Sequence, residues 1–308
     1  GGTLDKLESI PGYQSYLDIN DFKKNVENIG ISIMGQTKDI CPADRKIYAL
    51  RDKINMIDSY PLICGSIMGK KIAEGIQALV LDIKTGNGAF MNTIDKANKL
   101  GSLLKEIGEL NGVKVETAIT DMSQPLGDLS GVGVEVVESI EALKGNGPKD
   151  LMDIVFYLSL RIIRLFKSQA KVEDLQKIIN SGDAFNKFIE MIEAHGGSII
   201  DFEKMNYLKP RFNYIIKSDS DGFLNSFNTR KIGECLSAIG AGRLGNRDGI
   251  DCFAGLRMYK KISDSVSKDE PIMEFYCSSE KKIDNLKEEI DLLFSITDYE
   301  CDSVRLIY

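Results

Sequence analysis

The chain has 308 residues, 43% of them hydrophobic and 28% charged, which is enough apolar material for a sizeable core and two domains and argues against disorder. A formal net charge of -7 and a pI near 5.1 argue against a nucleic acid as the main partner, because a polyanion needs clustered Lys and Arg to neutralise it. The six cysteines, Cys41, Cys64, Cys235, Cys252, Cys277 and Cys301, lie scattered without a CxxC pair, so a zinc site or a disulfide framework is not expected and a reduced, cytoplasmic compartment is.

The chain opens Gly1-Gly2-Thr3-Leu4-Asp5-Lys6-Leu7-Glu8-Ser9-Ile10-Pro11-Gly12, with a helix expected from about Leu4 and Thr3 as its N-cap. Residues 43–52 (ADRKIYALRD) precede a helix expected over 61–75. On that helix Ser66 and Lys70 are four apart, which puts a hydroxyl and an ammonium on one face, with Ile63 and Ile67 on the adjacent stripe. Such a face can hold a flat polar ring by hydrogen bonds at its edge and apolar contacts on its faces. Taken alone, Arg51 and Lys70 read as ordinary surface cations on amphipathic helices rather than as ligands.

Residues 77–83 (QALVLDI) and 113–120 (VKVETAIT) read as strands joined by a helix over 93–110, a βαβ unit with Thr93 as N-cap and Gly112 as the stop. Parallel strands bind ligands at their carboxyl ends, and there the loop 84–90 brings Lys84, Gly86, Gly88 and Phe90. Helices are expected at 134–144 and 149–166, separated by Gly145-Asn146-Gly147-Pro148. The apolar stretch 153–166 is interrupted by Arg161 and Arg164 and is too short to span a bilayer, and no signal peptide is visible, so no membrane role is expected. The single histidine, His195, reads as a C-terminal helix cap. From about residue 206 short strands alternate with turns, at 212–217, 220–223, 257–261 and 272–277, before an amphipathic helix over 281–296 and a short terminal strand.

Three of these stretches together resemble the pyrimidine-nucleoside and thymidine phosphorylases. They are the opening Gly-Gly-Thr-Leu-Asp-Lys-Leu-Glu-Ser-Ile-Pro-Gly, the Tyr48-Ala49-Leu50-Arg51-Asp52 run with Ser66-Ile67-Met68-Gly69-Lys70-Lys71, and Asp121-Met122-Ser123-Gln124-Pro125-Leu126-Gly127. The chain looks like roughly the last two thirds of such an enzyme, without the upstream Lys-His-Ser and glycine-rich phosphate segments. The resemblance implies phosphorolysis of thymidine, uridine or deoxyuridine to free base and (deoxy)ribose 1-phosphate, with inorganic phosphate as co-substrate and no organic cofactor. It makes Arg51, Ser66 and Lys70 the catalytic contacts to the base, Tyr48, Ile63, Ile67 and Phe90 the pocket around it, and Thr3 a phosphate contact. It also implies a monovalent cation, potassium, on the carbonyls of Leu126 and Leu129 and on Glu138, a set of oxygens that suits a hard ion.

The fold so implied is α/β: a mixed, largely parallel sheet flanked by helices, part of a small α domain, and a C-terminal α+β module like a barrel-sandwich hybrid. The expected boundaries are 1–40 and 76–205 for the α/β phosphate-binding domain, 41–75 for the α domain and 206–308 for the module. A homodimer is implied by resemblance. The chain departs from the family pattern at Lys53-Ile54-Asn55-Met56, at Gly65 and Gly69, and at Val132. The alternatives are an inactive fragment or non-catalytic scaffold homologue, and a phosphoribosyltransferase of the anthranilate type. The second would not be expected to carry the module beyond residue 206.

Overall fold

The computed structural model describes residues 2–35, 59–242, 249–287 and 293–308. Tyr48, Arg51 and the departure at residues 53–56 lie outside the described residues. In chain order the elements are α1 (Thr3–Leu7), α2 (Ile19–Ile29), α3 (Tyr60–Ala73), β1 (Ala78–Thr85), α4 (Ile94–Leu110), β2 (Lys114–Asp121) and β3 (Leu129–Gly131). There follow α5 (Gly133–Leu143), α6 (Lys149–Arg164), α7 (Val172–Asn180), α8 (Asp183–Ala194), α9 (Ile199–Met205), β4 (Phe212–Lys217), β5 (Gly222–Phe227) and α10 (Thr229–Leu236). The chain ends with β6 (Gly255–Met258), β7 (Ser265–Val266), β8 (Pro271–Cys277), α11 (Glu280–Lys287) and β9 (Phe294–Thr297).

The fold is mixed α/β and divides into two compact units, one of Gly1–Gly35, Ser123–Met152 and Gln176–Val304, the other of Gln36–Met122, Asp153–Leu175 and Arg305–Tyr308. This differs from the expected division. The stretch 76–205 is shared between the units, and residues 123–152 and 176–205 group with the C-terminal strands.

The unit containing residues 59–122 is built on the expected βαβ motif. β1 and β2 pair in parallel from Ala78↔Lys114 to Thr85↔Asp121, and the Thr93 side chain caps α4 by accepting the Lys96 N–H. Ala97, Leu100 and Leu104 of α4 are buried against Ile83, Val113 and Val115. A Cβ on Gly108 would lie 2.3 Å from a Val115 methyl, so helix and strand approach as closely as they do only with glycine there. α3 packs on α4 through Met68, and residues 306–308 return beside β2, where Asp121 N–H donates to the Leu306 carbonyl at 3.0 Å.

The other unit holds two antiparallel sheets, ordered β3-β6-β8-β4 and β7-β5-β9. Leu224 and Phe227 of the three-stranded sheet share one apolar core with Leu256, Ile272 and Phe275 of the four-stranded sheet. Two sheets enclosing one core form a sandwich, which suits the alternating texture read from residue 206 onward. A helical core of Val134, Ile140, Met191, Ile192 and Phe202 lies in the same unit.

Three expectations are corrected. The parallel part of the sheet is confined, among the described residues, to β1 and β2, because 93–112 is the one crossover that joins parallel neighbours. β3, in a stretch expected to belong with the βαβ unit, is the edge strand of the sandwich, paired with β6 from Leu129↔Arg257 to Gly131↔Gly255. The expected helix over 281–296 ends its described part at Lys287, and Phe294–Thr297 is a strand paired with β5. The alternation Phe-Ser-Ile-Thr suits a pleated surface, and pairing with a distant strand overrides the helical pattern.

Candidate functional site

α3 carries the residues expected to bind a base. Pro61 stands in its first turn, where a missing N–H costs nothing. Ser66 is 9% exposed and Lys70, one turn later, is half-buried. Ile63 and Ile67 are half-buried and pack into the apolar layer with Met68 and Leu104. Among the described residues, a Cβ on Gly65 or Gly69 would meet nothing within 4 Å. Phe90 is 74% exposed, while its neighbours Ala89 and Met91 are buried.

At the carboxyl ends of β1 and β2 the structure assembles a group that sequence reading saw only in part. The Lys84 ammonium lies 2.7 Å from the Asp82 carboxylate and donates to Thr120 Oγ1 at 2.8 Å, and the Thr120 hydroxyl donates to Asp82. The signal was available in the spacing: Asp82 and Lys84 share a strand face and Thr120 stands opposite Lys84 in register.

The loop after β2 is held from several sides. Glu138 is 8% exposed, and its Oε1 accepts the backbone N–H groups of Asp128 at 2.7 Å and Leu129 at 2.9 Å. Burial pushes this carboxyl up to about 7, against the lowering effect of those two bonds. Gly127 has φ +68, and a Cβ there would sit 2.3 Å from Glu138 Oε2, so the close approach of loop and carboxylate needs glycine twice over. Glu138 is therefore not a solvated charge on an exposed helix face. A cavity of about 460 Å³ opens beside it, lined by Asp128, Glu138, Glu141, Asn146, Arg257 and Tyr259 among others.

The backbone of this loop offers an oxygen beside that carboxylate. Met258 N–H donates to the Asp128 carbonyl and Val132 N–H to that of Ala254, so in this register the Leu129 N–H and C=O face the edge away from β6. The N–H is taken by Glu138, which places the Leu129 carbonyl on the same side as a carboxylate. No group of three or more His, Cys, Asp or Glu suited to a transition metal occurs among the described residues.

Thr3 is exposed and is the first residue of α1 rather than its cap. Gly2 holds the N-cap position, and its N–H donates to Asp5 Oδ2 at 2.8 Å. His195 is the C-cap of α8, as read from sequence, and does more. Its ring is 1% exposed, stacks on Tyr13 at 4.7 Å, donates from Nδ1 to the Gln14 carbonyl at 2.9 Å and meets Ser32 Oγ at 2.8 Å through Nε2.

Residues 1–185 match the family described as the glycosyl transferase family, a/b domain, and residues 223–297 match the pyrimidine nucleoside phosphorylase C-terminal domain. Pyrimidine-nucleoside phosphorylase from Staphylococcus epidermidis (strain ATCC 12228 / FDA PCI 1200) is 39% identical over 298 residues, covering 94% of this chain and 68% of that protein. The chain belongs to the pyrimidine-nucleoside phosphorylase family. A second relative within it, from Staphylococcus aureus (strain USA300), is 37% identical over 306 residues, 97% of this chain and 70% of that protein. The C-terminal match falls on the part of the chain that an anthranilate-type phosphoribosyltransferase was not expected to carry. Among the described residues no helix is long and apolar enough to cross a membrane.

Proposed function

We propose that this chain contributes the base-binding and cation-binding parts of an enzyme that phosphorolyses pyrimidine nucleosides, thymidine, uridine and deoxyuridine among them. The observation that carries the reading is the match of both family regions, in order, together with close relatives named pyrimidine-nucleoside phosphorylase over nearly the whole chain. The arrangement of α3 supports it, with a buried Ser66 hydroxyl and the Lys70 ammonium one turn apart.

In the reaction a phosphate oxygen bonds to the anomeric carbon as the bond from that carbon to the base nitrogen breaks. The electron pair leaves on the pyrimidine while the sugar becomes oxocarbenium-like. The proton that completes the free base comes, in the overall balance, from the attacking phosphate. Lys70 and Arg51 would stabilise the negative charge on the departing ring, and cations placed where charge develops act most strongly in a site closed to water. Ser66 would fix the ring's orientation and Thr3 would contact phosphate. Phe90, Tyr48, Ile63 and Ile67 belong to the proposed pocket. Potassium, held by the Leu126 and Leu129 carbonyls and Glu138, would supply positive charge to a buried carboxylate and fix the loop. The proposal extends to a homodimer, which light scattering tests.

The deciding experiment is release of thymine or uracil by the full gene product, with thymidine and uridine assayed in parallel, with and without phosphate. Base release that requires phosphate supports the reading, and the ratio of the two rates gives the substrate preference. A folded protein that releases no base overturns it.

A further inference from the structure

The loop 124–129 is held by side chains that reach it from three other segments. Glu138 of α5 takes the N–H groups of Asp128 and Leu129. Asp150 of α6 takes the Gly127 N–H at 3.1 Å. Lys261, on the turn between β6 and β7, reaches the loop's carbonyls: its Nζ donates to Pro125 O at 2.7 Å, to Gly127 O at 2.5 Å and to Asp150 Oδ2 at 3.1 Å. An ammonium has three N–H donors, and here each has an acceptor. The next residue adds a fourth tie, Ile262 N–H to Gln124 Oε1 at 2.9 Å. The turn presenting the lysine is itself fixed, since Lys261 N–H donates to Asp264 Oδ2 at 2.7 Å.

We propose that Lys261 is the positioning residue of this loop: its ammonium gathers the Pro125 and Gly127 carbonyls on one side and so leaves the Leu126 and Leu129 carbonyls for the cation. The physical reason is the partial occupancy such a site would otherwise have. Carbonyl dipoles crowded together repel one another, and a tethered ammonium offsets that repulsion at all times, whereas a free ion does so only while bound. Lys261 and Asp150 are 22% and 20% exposed, so the pair is shielded from water and held more firmly than a surface ion pair. The sandwich thereby acts on the site: it delivers the side chain that shapes a loop far from it in sequence. The cation half of this inference rests on the potassium reading given above, while the loop half does not.

The test uses the full chain and the variants Lys261→Met and Lys261→Arg. Two quantities are measured: amide hydrogen exchange at Gly127, Asp128 and Leu129, with Leu256 and Phe275 as internal controls, and the thermal midpoint titrated with potassium chloride against tetramethylammonium chloride. In K261M the three loop amides should exchange about tenfold faster or more while the two controls stay unchanged. The potassium concentration giving half the stabilisation should rise by about tenfold, and K261R should recover both quantities to within about threefold. Loop exchange that is unchanged in K261M overturns the proposal, as does a K261R that behaves like K261M, or a wild-type potassium response that K261M leaves unaltered. A wild type that ignores potassium but whose loop loosens in K261M removes the cation reading and supports the positioning role of Lys261. If K261M does not fold, Asp150→Asn carries the same test, with faster exchange at Gly127 expected and unchanged exchange overturning the proposal.

Discussion

Glu138 shows how burial and hydrogen bonding compete at one residue. Two backbone N–H groups favour its charged form, yet burial outweighs them and the carboxyl rises from 4.5 to about 7. A carboxyl raised in the folded state binds its proton more tightly there than in the unfolded chain. Its contribution to stability is therefore complete below about pH 4.5 and is lost as pH climbs through 7. The interval corresponds to a change of about 3 kcal/mol as an order of magnitude. In buffer free of alkali-metal ions the protein should lose stability between pH 5 and pH 8, and Glu138→Gln, which keeps an acceptor for both N–H groups, should flatten that loss. Urea midpoints at the two pH values check it, and an equal loss in the variant would assign the effect to another group. Nothing in the sequence marked Glu138 as buried: Glu135, three residues earlier on the same helix, is half-buried and paired with Lys6, and the two glutamates look alike on a helical wheel.

At the scale of elements, the sequence revealed what local periodicity encodes and concealed what distant pairing decides. The βαβ unit, α3, α5 and α6 were legible because each carries its signal within its own span: the Thr93 cap and apolar stripe of α4, Pro61 in the first turn of α3, and the Gly-Asn-Gly-Pro break between α5 and α6. β3 and β9 were not, since three or four residues carry no period, and their partners lie more than sixty residues away in sequence. Lys261 was invisible for the same reason: it reads as the last residue of an expected strand, 257–261, and its contacts are with carbonyls in a loop over a hundred residues earlier. α3 supplies the prediction at this scale. Glycine in a helix interior costs about 0.5–1 kcal/mol relative to alanine. With no atom of the described residues within 4 Å of its Cβ position, Gly65→Ala should raise stability by about that much. Denaturant melts of the variant check this, and a destabilised variant would mean that the Gly65 side of α3 is packed in the working protein.

At the scale of the whole molecule, the chain passes between its two units several times, and its last crossing comes at residues 304 and 305. The final four residues belong with β1 and β2 although everything from 176 to 304 belongs to the sandwich unit. Their ties are specific: Asp121 N–H donates to Leu306 O and Tyr308 N–H to Ile119 O, each at 3.0 Å, and the Tyr308 hydroxyl donates to Asp121 Oδ2 at 3.2 Å. Each unit has its own apolar core, so their stabilities need not fall together, and a single unfolding free energy is then not well defined. Removing residues 305–308 therefore makes a local prediction. Exchange of the Asp121 amide should quicken by about tenfold or more as it loses its carbonyl acceptor, while Leu224 and Phe275 in the sandwich keep their protection. Native-state hydrogen exchange followed by mass spectrometry or NMR reads all three amides in one sample. Equal loosening at Asp121 and in the sandwich would mean that the molecule unfolds as one body, and α3 and the loop 124–129 could then not be tuned separately by mutation.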